Sequence, residues 1–446
     1  MNPKESQKMK PIAAMSALLV ILPLLGCYDQ NTNQNTNPAF AAPTLSPSSA
    51  PAVKIGQNDW PWWRGPTLNG KSSGKAPPTE WNQKKNVVWK SPIPGRGYST
   101  PSILGNRIFI STADDEAQTQ SLLCLDRKNG KQLWKKQIHK GKLPRAHRKN
   151  SHASASPACD GELIFVAFAV DDAIFVTAVD SDGNQKWQER VGSFKSEHGF
   201  CGSPVIYKSV VVVCGDSLQG SFISGIDRAS GKSLWRTSRK DGPAHGNYAA
   251  PIVGVVAGRP QVLISGQLRV DSYDPMTGER LWTVDGTPAA VIANTMTFDG
   301  DYVYASGGYP EKATLCIRAD GKGDVTETHI EWRRDQLITY VPSPIVHNGR
   351  IYMVNDGGIA LCLNSKTGKE IWRDRIDGAF SASPILAGDY LFCPSEDGTT
   401  HILKIGNKFE RVASNDLGSG IFASPVICGG QLFLRTKEHL YCIGKG

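Results

Sequence analysis

One pattern recurs along this chain and limits its fold more than any other feature: an Asp or Asn, then a Gly four residues later, then a Trp four residues after that. The regular copies occupy residues 126–134, 227–235, 274–282 and 364–372, while the copy at 180–187 is one residue short. A degenerate copy ends at Trp332. A pattern that returns at a near-constant distance indicates stacked copies of one supersecondary unit.

A second signature precedes the copies, a small residue followed by Pro and then by a hydrophobic stretch broken by a turn. It occurs at Thr100-Pro101, Ser156-Pro157, Ser203-Pro204, Ala250-Pro251, Ser343-Pro344, Ser383-Pro384 and Ser424-Pro425. Aligning Gly300 with Gly349 places Asn294-Thr295 in the same position, which makes eight units. Their spacing fits the roughly 40 to 50 residues of a four-stranded propeller blade.

The sequence therefore predicts an all-β, eight-bladed β-propeller with four-stranded blades. The last unit ends with about three strands, whereas residues 86–90 resemble an outer strand that has no blade of its own. We expect this N-terminal strand to complete the eighth blade, because that overlap removes the free sheet edges.

The repeated Trp residues are predicted to be structural. A flat indole on the outer strand can wedge between one blade and the next, and the preceding Gly permits the turn. The docking residues predicted in this way are Trp89, Trp134, Trp187, Trp235, Trp282, Trp332 and Trp372.

Over residues 86–446 this pattern resembles the PQQ-like repeat proteins, the quinoprotein-type propellers with tryptophan-docking repeats. The resemblance implies the fold more firmly than the function, because the same ring serves quinone-dependent dehydrogenases and non-catalytic scaffolds. A dehydrogenase of this kind would need a Ca²⁺ site beside the quinone, and usually an adjacent Cys pair. No residue here can be matched to that site, so we expect no PQQ and no calcium, and an enzyme is the less favoured alternative.

The N-terminus predicts export. Lysines at positions 4, 8 and 10 precede an apolar stretch at 12–25, which is short for a membrane span, and Gly26-Cys27 resembles a bacterial lipobox. We expect a lipoprotein signal peptide at 1–26 and lipidation, including palmitate, at Cys27. A flexible tether at 27–58 and an extension at 59–85 that docks on the ring would follow. Tyr28 favours the outer membrane, facing the periplasm.

The formal net charge of +9 at pH 7 is concentrated between the first two blades. The candidate anion-binding loop comprises Lys140, Lys142, Arg145, Arg148 and Lys149, with Lys135, Lys136, His139 and His147 nearby. Such a cluster suits anionic lipid head groups, polysaccharides or acidic proteins, although a solvated loop is an equally simple interpretation. Export argues against nucleic acid.

Three histidines lie five or six residues before Pro in consecutive blades: His152, His198 and His245. They form a candidate ligand or metal site at the channel mouth, with Glu197 as an orienting group or base. Aromatic residues in neighbouring blades favour structural packing instead. Cys201 and Cys214 are near cross-strand neighbours, and the sequence leaves open whether they form a disulfide.

The combination of an exported, lipid-anchored ring without identifiable catalytic residues resembles the BamB-type lipoproteins that scaffold outer-membrane β-barrel assembly. The resemblance implies a monomeric ring that binds other envelope proteins. The alternative is a PQQ-like protein that binds a small ligand or a metal at the channel mouth.

Overall fold

A computed structural model describes residues 52–218, 220–239, 247–266, 268–285 and 291–445. Over these residues the chain consists of strands, turns and loops, arranged in eight antiparallel four-stranded sheets. This confirms the predicted eight-bladed β-propeller.

The blades follow one another in chain order, and each runs from a short inner strand to an outer strand. Blade 1 contains Ser102–Leu104, Arg107–Asp114, Thr119–Asp126 and Gln132–Lys140; blade 2 contains Ala158–Cys159, Leu163–Val170, Ala173–Asp180 and Gln185–Ser193; blade 3 contains Val205–Tyr207, Val210–Gly215, Ser221–Asp227 and Ser233–Arg239; blade 4 contains Ile252–Val256, Arg259–Gly266, Arg269–Tyr273 and Arg280–Val284. Blade 5 contains Thr297–Asp299, Tyr302–Gly307, Ala313–Arg318 and Ile330–Arg334; blade 6 contains Ile345–His347, Arg350–Val354, Ile359–Asn364 and Glu370–Arg375; blade 7 contains Ile385–Ala387, Tyr390–Pro394, Thr399–Lys404 and Arg411–Asp416; blade 8 contains Val426–Cys428, Gln431–Arg435, His439–Ile443 and the N-terminal strand Val87–Pro92. Two short strands add parallel pairings, Gly323–Asp324 on blade 4 and Lys71–Ser72 on blade 7.

The N-terminal strand closes the ring as predicted. Val87–Pro92 pairs antiparallel with His439–Ile443, and Trp89 stands opposite Cys442. The two chain ends of the ring therefore share one sheet, which leaves blade 8 without a missing strand.

Each outer-strand Trp stands opposite a small residue on the adjacent strand. The pairs are Cys124 with Trp134, Ala178 with Trp187, Gly225 with Trp235, Ser272 with Trp282, Cys316 with Trp332 and Cys362 with Trp372. At Gly225 a Cβ atom would overlap the indole of Trp235. The indoles therefore require small neighbours. The Cys residues that recur at this position are explained by their small volume.

The indole also contacts the following blade. In blade 2, Trp187 lies against Gly231 of blade 3, where an added Cβ would come within 2.6 Å of the ring. The Trp187 indole N–H donates to the backbone carbonyl of Arg228, at 3.1 Å. Equivalent bonds to the next blade are donated by Trp89, Trp134, Trp332 and Trp372. Each bond fixes the angle between neighbouring blades.

Two docking residues depart from this scheme. Trp282 donates to Gln261 in its own blade, at 2.7 Å. The buried indole nitrogen of Trp235 has no hydrogen-bond partner among the described residues. These two residues belong to blades 3 and 4. Trp235 is still positioned by its contact with Gly278 of blade 4.

The segment before the N-terminal strand lies against the ring. Trp60 exchanges two backbone hydrogen bonds with Ile103 of blade 1, and Pro61 accepts one from Cys159 of blade 2. Further on, the carbonyl of Gly70 accepts a hydrogen bond from Leu386 of blade 7. The segment therefore crosses from one side of the ring to the other at the level of the inner strands.

The nine described cysteines are all free thiols. The Cys201 thiol donates to the carbonyl of Tyr248 at 3.0 Å, and the Cys214 thiol contacts the Asp216 carboxylate at 3.5 Å. Cys201 and Cys214 therefore do not form the disulfide that the sequence left open.

Candidate functional site

A cavity of about 500 Å³ lies where the eight inner strands begin. The residue two positions before each small-Pro signature lines it in every blade: Tyr98, Ser154, Cys201, Tyr248, Ala293, Val341, Ser381 and Phe422. In blade 5 the structural equivalent of the Ser before Pro is Thr295, one residue later than the sequence alignment indicated. Because every blade contributes, the cavity lies on the axis of the ring.

A second layer of the wall consists of hydroxyl groups. Ser203, Ser343, Ser383 and Ser424 line the cavity, and each hydroxyl oxygen accepts the backbone N–H of the equivalent residue in the preceding blade, at 2.9 to 3.0 Å. In these bonds the hydroxyl is the acceptor, so its hydrogen remains available as a donor. The same bonds link successive blades around the axis.

Aromatic rings occupy two opposite sides of the cavity. Tyr98 of blade 1 stacks on Phe422 of blade 8, with ring centroids 4.8 Å apart. Tyr248 belongs to blade 4, on the far side of the ring. From the N-terminal segment, Trp63 adds a further ring, and its indole N–H donates to the hydroxyl of Thr295 at 2.9 Å.

The neighbours of Trp63 anchor it. Trp60 and Trp62 are buried beside it, as is Arg64, whose guanidinium donates to the carbonyls of Asn69 and Pro344. Burial lowers the pKa of Arg64 to about 9. This aromatic segment is therefore part of the ring interior and is not a free binding patch.

Among the described residues, two charged side chains line the cavity. The Asp356 carboxylate accepts the backbone N–H groups of Tyr340 and Val341, at 2.9 and 3.2 Å, and burial raises the pKa of Asp356 above its ordinary value. The Lys149 ammonium is already paired with Glu396, at 2.8 Å. Among the described residues, the carboxylate of Asp356 forms no ion pair.

The predicted histidine cluster is not assembled as expected. Both ring nitrogens of His152 are engaged, with Asp115 at 2.7 Å and with the carbonyl of Pro144 at 2.8 Å, which leaves neither free for a metal. His198 does line the cavity, but its neighbour there is His147, with ring centroids 5.5 Å apart. His245 lies outside the described residues.

Glu197 is partly buried and precedes His198 in the chain. Over the described residues, no group of three or more His, Cys, Asp or Glu side chains is placed to hold a metal ion. The loop that carries His147 reaches the mouth because its backbone N–H donates to the carbonyl of His198, a contact that sequence spacing does not reveal.

The basic loop divides into two parts. Lys140, Lys142, Arg145 and Arg148 are exposed and do not line the cavity, whereas Lys149 is exposed and also lines it. The nearby histidines add little positive charge at neutral pH. Burial lowers the pKa of His139 to about 4, and burial together with adjacent cations lowers the pKa of His147.

The described residues do not fit a quinone cofactor. A planar polycarboxylate requires cationic partners. Among the described wall residues, however, the single ammonium is paired with Glu396, and the unpaired charge is the carboxylate of Asp356. A calcium ion requires six to eight oxygen ligands, and no carboxylate cluster of that kind lines the described wall. We derive no redox step from this site.

Sequence reasoning missed a buried ionic cluster between blades 3 and 4. Arg239 pairs with Asp216 at 2.8 Å and with Asp271 at 2.9 Å, while Arg269 also contacts Asp271 at 2.9 Å. Asn247 completes the cluster by donating to Asp216. Its members come from distant positions in the chain, so no local motif announces it. Two cations balance two anions, so we interpret the cluster as a structural link between blades 3 and 4.

The ring, its docking indoles and its axial cavity define a tryptophan-docking, PQQ-like propeller. The family model described as "Outer membrane protein assembly factor BamB" matches residues 73–215, 119–359 and 332–408, and the chain belongs to this family. A curated relative, the outer membrane protein assembly factor BamB of Yersinia pestis, is 24% identical over 394 residues, which is 80% of this chain and 92% of the relative.

Solved structures show the same fold at lower identity. BamB from Moraxella catarrhalis superposes with a TM-score of 0.58 at 16% identity, over 80% of this chain and 99% of that chain. Quinohemoprotein alcohol dehydrogenase from Comamonas testosteroni superposes with a TM-score of 0.64 at 11% identity, over 87% of this chain and 81% of that chain. The fold is therefore shared by assembly factors and by enzymes.

Cys27, the predicted lipidation residue, lies outside the described residues. The described part of the chain contains no helix with the length and hydrophobicity that crossing a bilayer requires.

Proposed function

We propose that this protein is a non-catalytic scaffold of the cell envelope that takes part in outer-membrane protein assembly. The observation that carries the proposal is its membership of the assembly-factor family, whose model matches most of the ring. A cavity wall that does not fit the quinone cofactor supports binding over redox catalysis.

The outer strand of blade 1, Gln132–Lys140, is the surface that we propose for partner docking. It is nine residues long, lies at the edge of its sheet and is largely exposed. Lys135, Lys136 and Lys140 project from it and are exposed. Such an edge can accept a further strand, and its charge selects an acidic, extended segment of another envelope protein.

We further propose that Cys27 carries the lipid anchor and that the protein acts as a monomeric ring at the outer membrane, facing the periplasm. An anchored ring of this kind presents its blade edges to neighbouring proteins without entering the bilayer.

The test is chemical cross-linking in intact cells, followed by purification of the tagged chain and mass spectrometry. The proposal predicts that components of the barrel-insertion machinery are captured. The variant Lys135→Glu, Lys136→Glu, Lys140→Glu should lose them. The matched control, Lys366→Glu, Lys369→Glu, Lys408→Glu, makes the same charge change on exposed residues of blades 6 and 7. Equal capture by the two variants would reject the docking strand.

A second candidate function, binding of a small molecule, is favoured by the axial cavity. A volume of about 500 Å³ falls within the range of ligand pockets, and its wall combines aromatic rings with a few positioned polar groups. Cys27→Ser separates the two functions, because it should abolish envelope capture while leaving ligand binding by the ring unchanged.

A further inference from the structure

The axial cavity has a wall composition that specifies the chemistry of its occupant. Rings stand on opposite sides, Tyr98 and Phe422 facing Tyr248, and Trp63 supplies another face. Flat apolar faces suit a ligand that is itself flat and presents C–H or π surfaces.

The polar groups of the wall are mostly neutral hydroxyls. Ser203, Ser343, Ser383 and Ser424 are held in place by the backbone N–H bonds that they accept, and each keeps a hydrogen to donate. Preorganised hydroxyls of this kind pair well with ligand oxygens and lose little conformational freedom on binding.

The charges of the wall reject an anion. The Asp356 carboxylate accepts backbone N–H groups and forms no ion pair among the described residues, and the Lys149 ammonium is paired with Glu396. An anionic ligand would meet the carboxylate and find no unpaired cation among the described residues of the wall. A ligand hydroxyl, in contrast, can donate to Asp356 at no cost in charge.

We propose that the axial cavity binds a neutral saccharide of one or two rings, which rests its faces on Tyr248 and on Tyr98 and Phe422 and donates a hydroxyl to Asp356. This inference rests on the second candidate function, small-molecule binding, and does not depend on the assembly role. The cavity of about 500 Å³ accommodates ligands of this size.

The experiment is isothermal titration of the purified full chain with glucose, N-acetylglucosamine, maltose and cellobiose, and with glucuronate as the anionic partner of glucose. Saturable binding of at least one neutral sugar is expected. Glucuronate should bind at least about tenfold more weakly than glucose, because its carboxylate faces that of Asp356. Asp356→Asn should reduce the difference in affinity between glucose and glucuronate, because it removes the negative charge that repels the glucuronate carboxylate.

Two kinds of variant test the location. Tyr248→Ala should weaken sugar binding by about tenfold or more, since it removes one stacking face. Ala293→Trp should abolish it by filling the cavity while leaving the other wall residues in place. Tyr309→Ala is the control, because this ring is 57% exposed and is not one of the residues that line the cavity.

Several outcomes overturn the proposal: no saturable binding of any of the four neutral sugars, undiminished binding by a folded Ala293→Trp variant, or glucuronate binding as tightly as glucose. Because titration uses the isolated protein, its failure is distinguishable from failure of the assembly role, which is measured by capture in cells.

Discussion

At the scale of single residues, the buried charges are the most demanding feature of the ring. Arg239 lies between the carboxylates of Asp216 and Asp271, and all three are buried. A buried ion pair adds little to stability as a pair, but removing one partner leaves an uncompensated charge. The loss of stability therefore appears when one partner is replaced, whereas the intact cluster adds little to the stability of the native protein.

Replacing Arg239 by Leu should lower the free energy of unfolding by about 3 to 5 kcal/mol, because the Asp216 carboxylate would stay buried without a cation. Urea denaturation measures this change. The control is Arg333→Leu, which breaks the exposed pair with Asp335 and should cost less than about 1 kcal/mol. Equal losses of stability in the two variants would mean that the buried cluster does not stabilise the contact between blades 3 and 4.

His139 should make stability depend on pH. Its ring packs against Phe168 and Phe175, and burial lowers its pKa to about 4, against the weaker opposing effect of Asp171. Between pH 6.5 and 4 the unfolded chain binds a proton that the folded chain excludes, so stability is present above 6.5 and is lost as the pH falls.

His139→Phe should remove that contribution. Between pH 7.5 and pH 5, the wild-type protein should lose about 2 kcal/mol more stability than the variant, as measured by urea midpoints at both pH values. Other carboxylates and histidines titrate equally in both proteins. Parallel pH profiles would show that the imidazole is not desolvated in the folded state.

At the scale of the blade, the docking contact between Trp and Gly carries the repeat. Gly231 has a φ of 77°, and a Cβ there would come within 2.6 Å of Trp187. Gly258 has a similar φ of 73°, but nothing lies within 4 Å of an added Cβ. The two positions separate backbone strain from the loss of docking.

Gly258→Ala should lower the free energy of unfolding by about 1 kcal/mol through strain alone. Gly231→Ala should cost about 1 to 3 kcal/mol more, because the indole must also move from its site. Thermal unfolding followed by circular dichroism compares them. If both variants unfold at the same temperature, the indole does not depend on the glycine.

Blade-level features were the most predictable from sequence, since the Asp-x-x-x-Gly-x-x-x-Trp pattern is local. The pattern gave the blade count and the strand that completes blade 8. Contacts between blades were not predictable in this way. The backbone N–H of His147 donates to the carbonyl of His198 in another loop. The serine hydroxyls before each Pro accept hydrogen bonds from the preceding blade, and these bonds form only once the blades are arranged in the ring. Spacing alone placed His152 at the mouth, whereas Asp115 and Pro144 hold it elsewhere.

At the scale of the whole molecule, closure depends on the N-terminal segment. Val87–Pro92 completes blade 8, and the residues before it cross the inner strands and deliver Trp63 to the cavity. Nothing in the repeat predicted this crossing, because residues 59–85 lie outside the repeated pattern. The segment joins ring closure to the shape of the cavity.

Deleting residues 1–92 should expose the edge of His439–Ile443 and cause association or loss of the cooperative unfolding transition. Deleting residues 1–51 is the matched control and should leave a folded monomer. Size-exclusion chromatography with light scattering makes the comparison. A monomeric, cooperatively folding product of the longer deletion would show that the ring closes without its N-terminal strand.

The most direct test of the central claim, a scaffold role in outer-membrane protein assembly, is quantitative mass spectrometry of outer membranes from cells that lack this protein. In these cells β-barrel proteins should fall in abundance as a class. The wild-type chain should restore them, and the variant Lys135→Glu, Lys136→Glu, Lys140→Glu should not. Unchanged barrel proteins in cells without this protein would contradict it.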